Sequence, residues 1–529
     1  MSKNSDKKLL QNKNSFNEKL DKHYILISLI LIAVIGCIIR LNYLPFEIPL
    51  TLDAIGYFNY ATDMVILDKF PTGYPWPNNG WSTLLFIFFN FYPSTNYLDF
   101  MNIQRIIAVC FSVLTIIPVY YLCKKFFNEK ISIIGASIFV FEPRIIQNSI
   151  LGITEALFIF LGTLAISLFL SDNKKMIYLS FMIAGLFALV RYEGLVLIIP
   201  LVIIFAVRFR KENKFYFKII FVILIFILSL LPMAQIRIET LGNDGLVNHI
   251  SQGPVYYQNI AESNQDENII FKMIFKGFYN YGMYFVWITI PIFFLLLPYG
   301  FGQMIKNRDA KKWMLILSGI ILSSAALYVY SRDIQDTRYL YILYPLMCVV
   351  SLYTIKPILK KFENKKLVSS IIIMGLIITS VTFLEIKSDT QHERESYEIA
   401  KIIAQNAEGV NEYYPESKFL LSIKIHEREF PSLSNSQNDG INIISTSKYE
   451  TLEEFILNNE QYGLTHLIID DNLKRQEFLK DIILNENNFL YLEKELDSKD
   501  LGFEYQVKIY KINYEMFNSI IKQQINEEK

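Results

Sequence analysis

The sequence predicts an α-helical polytopic membrane protein of about eleven transmembrane helices, followed by a C-terminal soluble α/β domain. Long apolar runs alternate with short charged loops over residues 24–386, and these runs stop near residue 387. The composition agrees, since 52% of the 529 residues are hydrophobic and 15% are aromatic. An α-helix needs about 20 apolar residues to cross the hydrocarbon of a bilayer, which is close to the length of these runs.

The charge and cysteine content exclude several classes of protein. Lysine and arginine together number 51, as do aspartate and glutamate, so the net charge gives no case for nucleic-acid binding. All four cysteines lie in apolar runs, which matches neither a disulfide framework nor a metal site. The first apolar run is too long for a signal-peptide core, and we interpret it as a retained helix.

The predicted spans are given by the positions of the apolar runs. They cover residues 24–43, 103–123, 131–146, 153–170, 176–190, 195–209, 217–236, 284–303, 313–330, 339–355 and 367–386. The apolar stretch at residues 82–93 is too short to cross, and we expect it to lie flat at the membrane interface.

Positive charge predicts the orientation of these spans. One set of alternate loops carries 25 lysines and arginines, whereas the other and much longer set carries 8. Because loops rich in lysine and arginine stay in the cytoplasm, residues 1–23 are predicted to be cytoplasmic. The first outer loop, residues 44–102, and the tail, residues 387–529, are then predicted to be extracytoplasmic, in a prokaryotic cell membrane.

The tail shows the patterns of a small α/β domain. Residues 395–407, 449–459 and 472–484 have the periodicity of helices. We expect buried strands in "KFLLSI" (418–423) and "THLIID" (465–470), and a half-exposed strand in "FEYQVKIYKI" (503–512). Since the tail contains no glycine-rich phosphate loop and no nucleophile elbow, a supporting or acceptor-binding role is favoured over catalysis.

The unusual polar residues collect in the predicted outer segments. Asp53 follows the first span at once, on a predicted short helix that places Tyr57 and Tyr60 on the same face. An aspartate at a membrane interface is often only a surface carboxylate, so this alternative stays open. The tyrosine companions favour a functional site.

A second outer segment, "EPRIIQNSILGITE" (142–155), brings together Glu142, Arg144 and Glu155 at the tip of a predicted hairpin. A structural ion pair that closes the hairpin would explain these charges equally well. Ionisable residues close to the bilayer are nevertheless candidates for function.

A third segment, "RYEG" (191–194), presents Arg191, Tyr192 and Glu193 between two long apolar runs. The alternative to function is snorkelling, in which long side chains extend to the interface. The loop is so tight that both charges must stay close to the hydrocarbon, which favours function.

A fourth segment, "SRDIQDTRYLYILYP" (331–345), carries Arg332, Asp336 and Arg338 ahead of a tyrosine-rich span. The planar guanidinium group binds phosphate through two parallel hydrogen bonds, so Arg338 is a candidate ligand of an anionic headgroup. The alternative is an ordinary belt of aromatic and cationic interface anchors.

These motifs, in this order and on one side, resemble the GT-C class of integral-membrane glycosyltransferases. The likeness is to glycosyltransferase family 39, the group of dolichyl-phosphate-mannose protein mannosyltransferases and aminoarabinose transferases. The residues that carry it are Asp53 in "LTLDAIGYFNYA", Glu155 in "GITEALFIFLGTLA", "RYEGLVLIIP" (191–200) and "TRYLYILYP" (337–345). The likeness covers roughly residues 24–386.

Two departures from the pattern concern the acceptor. Many members have an Asp-Glu pair in the first outer loop, whereas Asp53 is followed by Ala54. Oligosaccharyltransferase catalytic subunits carry an Asp-x-Asp metal motif and a Trp-Trp-Asp-Tyr-Gly signature, and neither occurs here. Metal-dependent transfer to asparagine is therefore disfavoured, although an oligosaccharyltransferase-like enzyme remains an alternative.

The resemblance implies transfer of a sugar from a polyprenyl-phosphate-linked donor to a hydroxyl of an acceptor protein, glycan or lipid. Asp53 would be the general base of a single inverting displacement. Glu155 and Glu193 would orient arginines or hold sugar hydroxyls, and Arg144, Arg191 and Arg338 would stabilise the leaving phosphate. The resemblance leaves a divalent metal possible and identifies no metal ligand.

Two other classes compete with this reading. A transporter or flippase of lipid-linked sugars would have polar residues at mid-membrane and interrupted spans in matching halves. The charges instead cluster on one face, and we see no internal repeat. A noncatalytic scaffold that displays the tail would not explain four charged motifs on one side.

Overall fold

The computed structural model describes residues 23–51, 53–74, 79–92, 94, 96–245, 247–263, 268–306, 309–387, 390–406, 417–427, 432–436, 440–444, 449–471 and 476–527. The chain forms two compact units. The first comprises Met1–Leu44 and Asp53–Ser388, and the second comprises Pro45–Leu52 and Asp389–Lys529. Each unit is described below by itself.

The regular elements described in the first unit are all helices. Its helices are α1 (His23–Asn42), α2 (Asp53–Leu67), α3 (Gly80–Phe91), α4 (Tyr97–Leu114), α5 (Ile116–Lys124), α6 (Glu129–Val140), α7 (Pro143–Ser149), α8 (Glu155–Phe169), α9 (Lys174–Val190), α10 (Ile198–Phe209), α11 (Phe215–Leu241), α12 (Val247–Ser263), α13 (Ile269–Thr289), α14 (Leu297–Ile305), α15 (Ala310–Ser331), α16 (Tyr344–Lys360) and α17 (Lys365–Lys387). Two 3₁₀ helices, Tyr192–Leu197 and Thr337–Leu343, lead into α10 and α16.

Seven helical segments among the described residues are long and apolar enough to cross a membrane. They are His23–Asn42, Tyr97–Lys124, Tyr192–Phe209, Phe215–Leu241, Ala310–Ser331, Thr337–Lys360 and Lys365–Lys387. Each coincides with a predicted span. The helical membrane fold is therefore confirmed, while the count of eleven crossings stays a prediction.

The predicted span at residues 284–303 is wrong as a single helix. Helix α13 ends at Thr289, α14 begins at Leu297, and residues 290–296 form turns between them. Pro291 and Pro298 explain the interruption, since proline lacks the amide hydrogen that a continuous helix needs. We call residues 290–296 the helix break.

Other side chains satisfy the carbonyl groups that the helix break releases. Arg144 Nη2 donates to the carbonyl oxygen of Trp287 at 2.8 Å. The hydroxyl of Tyr344 donates to Ile288 at 3.0 Å, and that of Thr354 donates to Leu296 at 2.6 Å. An irregular backbone in an apolar environment is tolerated only when its polar groups find such partners.

The predicted span at residues 131–146 is also divided, because α6 ends at Val140 and α7 begins at Pro143. Proline at the first position of a helix loses no hydrogen bond, so it suits the start of α7. The stretch at residues 82–93, predicted to lie at the interface, falls largely in helix α3. Its position relative to a bilayer stays a prediction.

The second unit is an antiparallel sheet covered by helices. Its described elements are α18 (Gln391–Asn406), α19 (Ser417–Glu427), β1 (Ser432–Ser436), β2 (Gly440–Ile444), α20 (Leu452–Glu460), β3 (Leu464–Asp470), α21 (Glu477–Leu484), β4 (Leu492–Asp497), β5 (Val507–Ile512) and α22 (Tyr514–Glu527). The strand order is β2-β1-β3-β5-β4. Ile468 and Ile469, adjacent in β3, belong to two separate hydrophobic cores, as expected for a sheet with helices on both faces.

The α/β class of the tail is confirmed, with two corrections. Residues 418–423, predicted as a strand, lie in α19, where Leu421 and Ile425 pack one turn apart against α18. A short apolar run does not distinguish a strand from a helix by itself. The predicted strand at 503–512 exists as β5, but it is buried on both faces except at Lys511.

Candidate active site

An open cavity in the first unit lies where three of the predicted outer segments meet. Its empty volume is about 320 Å³. Its walls combine charged and apolar side chains, namely Glu155, Phe158, Ile159, Arg191, Glu193, Leu322, Arg338, Tyr339, Tyr341 and Ile342. We call this the Glu155 cavity.

Arg338 joins the Glu155 cavity to Asp53. Its Nη2 atom lies 3.0 Å from Oδ2 of Asp53, the first residue of α2. Asp336 fixes the same arginine, since its carboxylate accepts from the backbone amide of Arg338 at 2.8 Å and from Nε at 2.6 Å. The Asp53 side chain is 49% exposed, so one carboxylate oxygen is held while the group stays accessible.

Arg191 is held between two other carboxylates of the cavity. It forms ion pairs with Glu155, which is buried, and with Glu193 at 2.9 Å. The guanidinium group also lies over the rings of Phe158 and Tyr339, with 5.8 and 5.1 Å to the ring centroids. Aromatic faces stabilise a cation in this arrangement.

The tight turn that presents Arg191 and Glu193 depends on Gly194. A Cβ atom at this position would lie 2.7 Å from the Cα atom of Ala188, in the last turns of α9. Only glycine allows the backbone to approach the helix so closely. The "RYEG" segment therefore packs its glycine inward and turns its charges toward the cavity.

Tyr57 and Tyr192 lie in the electrostatic neighbourhood of the cavity. Tyr57 interacts electrostatically with Arg191, Glu155 and Asp53. Burial raises the pKa of Tyr57 well above its usual value, so its hydroxyl stays protonated and can donate a hydrogen bond. Tyr192 begins the 3₁₀ helix beside Arg191.

Three predicted site residues contact other parts of the unit. Glu142 is buried at the start of α7, and Arg144 donates to Trp287 at the helix break and lies over the rings of Trp287 and Phe383. Arg332 lies over the rings of Tyr256 and Tyr328. None of the three lines the Glu155 cavity.

Arg237 is a further candidate that the sequence did not single out. It is fully buried in α11, and its Nε and Nη2 atoms donate to Oδ1 of Asn79 at 3.2 and 2.9 Å. Its Nη1 atom is buried and has no hydrogen-bond partner among the described residues. The signal in the sequence was a positive charge directly after an apolar span, which contributes to the predicted orientation of the spans but does not by itself indicate a site.

In and beside the Glu155 cavity, carboxylates outnumber guanidinium groups. Four carboxylates, those of Asp53, Asp336, Glu155 and Glu193, surround the guanidinium groups of Arg191 and Arg338. Within the described ranges, no group of three or more His, Cys, Asp or Glu residues could hold a metal ion.

A protein-family model matches part of the sequence. Residues 101–234 match the model described as dolichyl-phosphate-mannose-protein mannosyltransferase. This region includes Glu155, Arg191 and Glu193. No curated protein sequence matches the chain.

Solved structures share the fold at low sequence identity. ArnT from Cupriavidus metallidurans in the apo state has a TM-score of 0.55 and 10% identity, with 93% of this chain and 98% of that chain covered. The same protein bound to undecaprenyl phosphate has a TM-score of 0.53 and 8% identity, covering 91% and 97%.

The Archaeoglobus fulgidus oligosaccharyltransferase tethered to an acceptor peptide with the NVT sequon has a TM-score of 0.54 and 15% identity. It covers 85% of this chain and 69% of that chain. Together with the family match, these likenesses confirm the resemblance that the sequence predicts: the chain shares the fold of ArnT and of the archaeal oligosaccharyltransferase, and its residues 101–234 are similar to the dolichyl-phosphate-mannose-protein mannosyltransferase model.

Proposed function

We propose that this protein transfers a sugar from a polyprenyl-phosphate-linked donor to an acceptor hydroxyl by a single inverting displacement. One observation carries the proposal. The carboxylate of Asp53 is accessible, and Arg338 links it to an open cavity that holds Glu155, Arg191 and Glu193. The fold shared with ArnT, one structure of which contains undecaprenyl phosphate, supports a lipid-phosphate donor.

Asp53 is the general base in this proposal. Arg338 holds Oδ2, and the exposed remainder of the carboxylate accepts the proton of the attacking hydroxyl. A positioned base is typically worth about 10²–10⁴-fold in rate. The hydroxyl then attacks the anomeric carbon from the face opposite the phosphate, and the bond from that carbon to the phosphate oxygen breaks.

The Glu155 cavity binds the sugar. Glu155 and Glu193 accept hydrogen bonds from sugar hydroxyls and keep Arg191 in place. The side chains of Phe158 and Tyr339 line the cavity and supply apolar contact for the ring carbons.

Arg237 is the strongest candidate to neutralise the phosphate. Arg191 and Arg338 are each bonded to two carboxylates, which leaves them little charge to offer an anion. Arg237 instead donates to the neutral amide of Asn79, interacts electrostatically with Asp244, and keeps one buried Nη1 atom without a hydrogen-bond partner among the described residues. A preorganised donor shielded from water stabilises developing negative charge strongly.

Two further parts of the proposal are the orientation of the protein in the membrane and the chemical class of the acceptor. The lysine and arginine distribution supports a cytoplasmic N-terminus and an extracytoplasmic active site in a prokaryotic cell membrane. The acceptor is a hydroxyl of a protein, glycan or lipid.

Transfer to an asparagine amide is the second candidate, because the fold is also shared with an oligosaccharyltransferase. Peptides that differ only in asparagine or serine at the acceptor position separate the two candidates. Labelling of the serine peptide alone supports the hydroxyl acceptor.

The test is sugar transfer by the purified protein in lipid nanodiscs. A panel of radiolabelled polyprenyl-phosphate sugars is incubated with protein, glycan and lipid acceptors, and labelled product is counted. We expect Asp53→Asn to lower turnover by about 10²–10⁴-fold while donor binding persists. Asp68→Asn, at the exposed far end of the same segment, is the matched control. Near-wild-type turnover of Asp53→Asn would refute the base assignment.

A further inference from the structure

Tyr330 is a fully buried residue near the end of α15 that does not itself line the Glu155 cavity. Its hydroxyl donates to the backbone carbonyl oxygen of Asp336 at 2.9 Å. Its own carbonyl accepts from Nδ2 of Asn280, in α13, at 3.3 Å. Tyr330 thus ties two packed helices to the short loop at residues 332–336.

That loop ends at the residue that orients Arg338. Asp336 caps the 3₁₀ helix by accepting from the Arg338 amide, and the same carboxylate holds the guanidinium group. Arg338 in turn donates to Asp53. A continuous chain of hydrogen bonds and peptide units therefore runs from Tyr330 to the proposed general base.

We propose that Tyr330 is a positioning residue for the transfer reaction. Its hydroxyl fixes the Asp336 carbonyl, so that Arg338 holds one oxygen of Asp53 and leaves the other for the acceptor. This inference rests on the proposed function. Small errors in the placement of reacting groups are costly, since a shift of about 1 Å can lower a rate by about 10²-fold.

The loop at residues 332–336 adopts a backbone conformation that costs free energy. Asp333 has a positive φ of 63°, a conformation that residues with a Cβ atom adopt only at a cost. The short loop must also deliver Asp336 in the extended conformation of a helix cap. Backbone amides of Asp333 and Ile334 bond the start of this loop to the end of α15, whereas the hydroxyl of Tyr330 holds its far end, at Asp336.

The test replaces one hydroxyl group. Tyr330→Phe keeps the ring, which packs against Tyr284 and Tyr339 at centroid distances of 5.1 and 6.5 Å. Tyr281→Phe is the matched control, because its hydroxyl donates to Ser323 at 2.9 Å and has no link to Asp336. Both variants are studied as the full chain in nanodiscs with a polyprenyl-phosphate sugar as donor.

We expect Tyr330→Phe to lower kcat by roughly tenfold, about 1.4 kcal/mol in the activation free energy, because the hydrogen bond that fixes the Asp336 carbonyl is lost. KM for the donor should stay within about twofold, since the sugar and phosphate ligands are unchanged. Tyr281→Phe should keep wild-type kcat. Equal effects of the two variants would mean that Tyr330 is merely structural.

A double variant tests whether Tyr330 acts through Arg338. In an Arg338→Ala background, Tyr330→Phe should cause no further loss of kcat, because the link to Asp53 is already gone. Additive losses would overturn the proposal.

Hydrogen exchange gives a readout that does not need turnover. Tyr330→Phe should speed amide exchange at residues 332–338, whereas Tyr281→Phe should not. If Tyr330→Phe showed normal exchange and normal kcat, the positioning role would be wrong and the proposed function would stand. Absence of transfer by the wild-type protein would instead contradict the proposed function.

Discussion

Two regions of the first unit place arginine side chains in different surroundings. The first is the Glu155 cavity, where Arg191 and Arg338 bind carboxylates and face open space. The second is the helix break, where Arg144 donates to a backbone carbonyl and lies between aromatic rings. All three arginines were predicted as site residues from charges beside apolar runs, whereas the helix break itself was not predicted.

We infer the role of each arginine from the groups to which it is bonded. Carboxylates around a cavity keep polar groups available to a ligand. A carbonyl group released by a broken helix takes up the donor and leaves nothing for a substrate. We therefore expect variants at the cavity to change turnover, and variants at the helix break to change stability.

The largest effect is expected from Glu155→Gln. This substitution removes the charge of a buried carboxylate that pairs with Arg191, and loss of one partner of a buried pair costs about 3–5 kcal/mol. Where this pair also positions Arg191 for the reaction, the same energy predicts a loss of turnover of about 10²–10⁴-fold, measured by sugar transfer. Glu129→Gln, which removes an exposed partner of Lys124, is the control and should retain activity. Wild-type turnover in Glu155→Gln would break the comparison.

A smaller effect is expected from Arg237→Gln. The charged donor near Asn79 is lost, and a hydrogen bond from a charged group is worth about 1.5–3 kcal/mol. Affinity for a polyprenyl-phosphate donor should fall by about 10–10²-fold, measured by equilibrium binding in nanodiscs. Arg208→Gln, whose guanidinium group donates to carbonyls of Phe169 and Ser171, should leave affinity unchanged. Equal donor affinities of Arg237→Gln and the wild type would remove Arg237 from the phosphate site.

Arg144→Met should act on stability. The carbonyl group of Trp287 loses its donor, which should lower the free energy of unfolding by about 1–3 kcal/mol, while the methionine fills the space of the stem. Thermal unfolding in detergent measures the change. Arg332→Met, which removes only a cation over tyrosine rings, should cost less. If Arg144→Met abolished donor binding without loss of stability, Arg144 would belong to the site after all.

The smallest effect is expected from Thr354→Val. Valine keeps the shape of the side chain but removes the hydroxyl that donates to Leu296, which should cost about 1 kcal/mol. Thr379→Val removes a bond to the preceding turn of an exposed helix and should cost less. Comparable unfolding midpoints for these two variants would show that the helix break does not need this donor.

The sequence anticipated the parts of the site that are local. Asp53 and Tyr57 share a helix face because they are four residues apart, and "RYEG" presents two charges because it is a tight turn. It did not anticipate which charges pair, since Arg338 and Asp53 are 285 residues apart. It also gave Arg237 no special weight, because its lone positive charge resembles an ordinary interface anchor.

By itself, then, the sequence determined the membrane class, the position of most helices and the set of polar residues from which a site could be built. These follow from hydropathy and local spacing. The tertiary structure decided which arginine binds a carboxylate, which one satisfies a broken helix and which one keeps a donor without a partner among the described residues. Such choices depend on backbone groups and charges brought together from distant segments, and no local pattern encodes those distances.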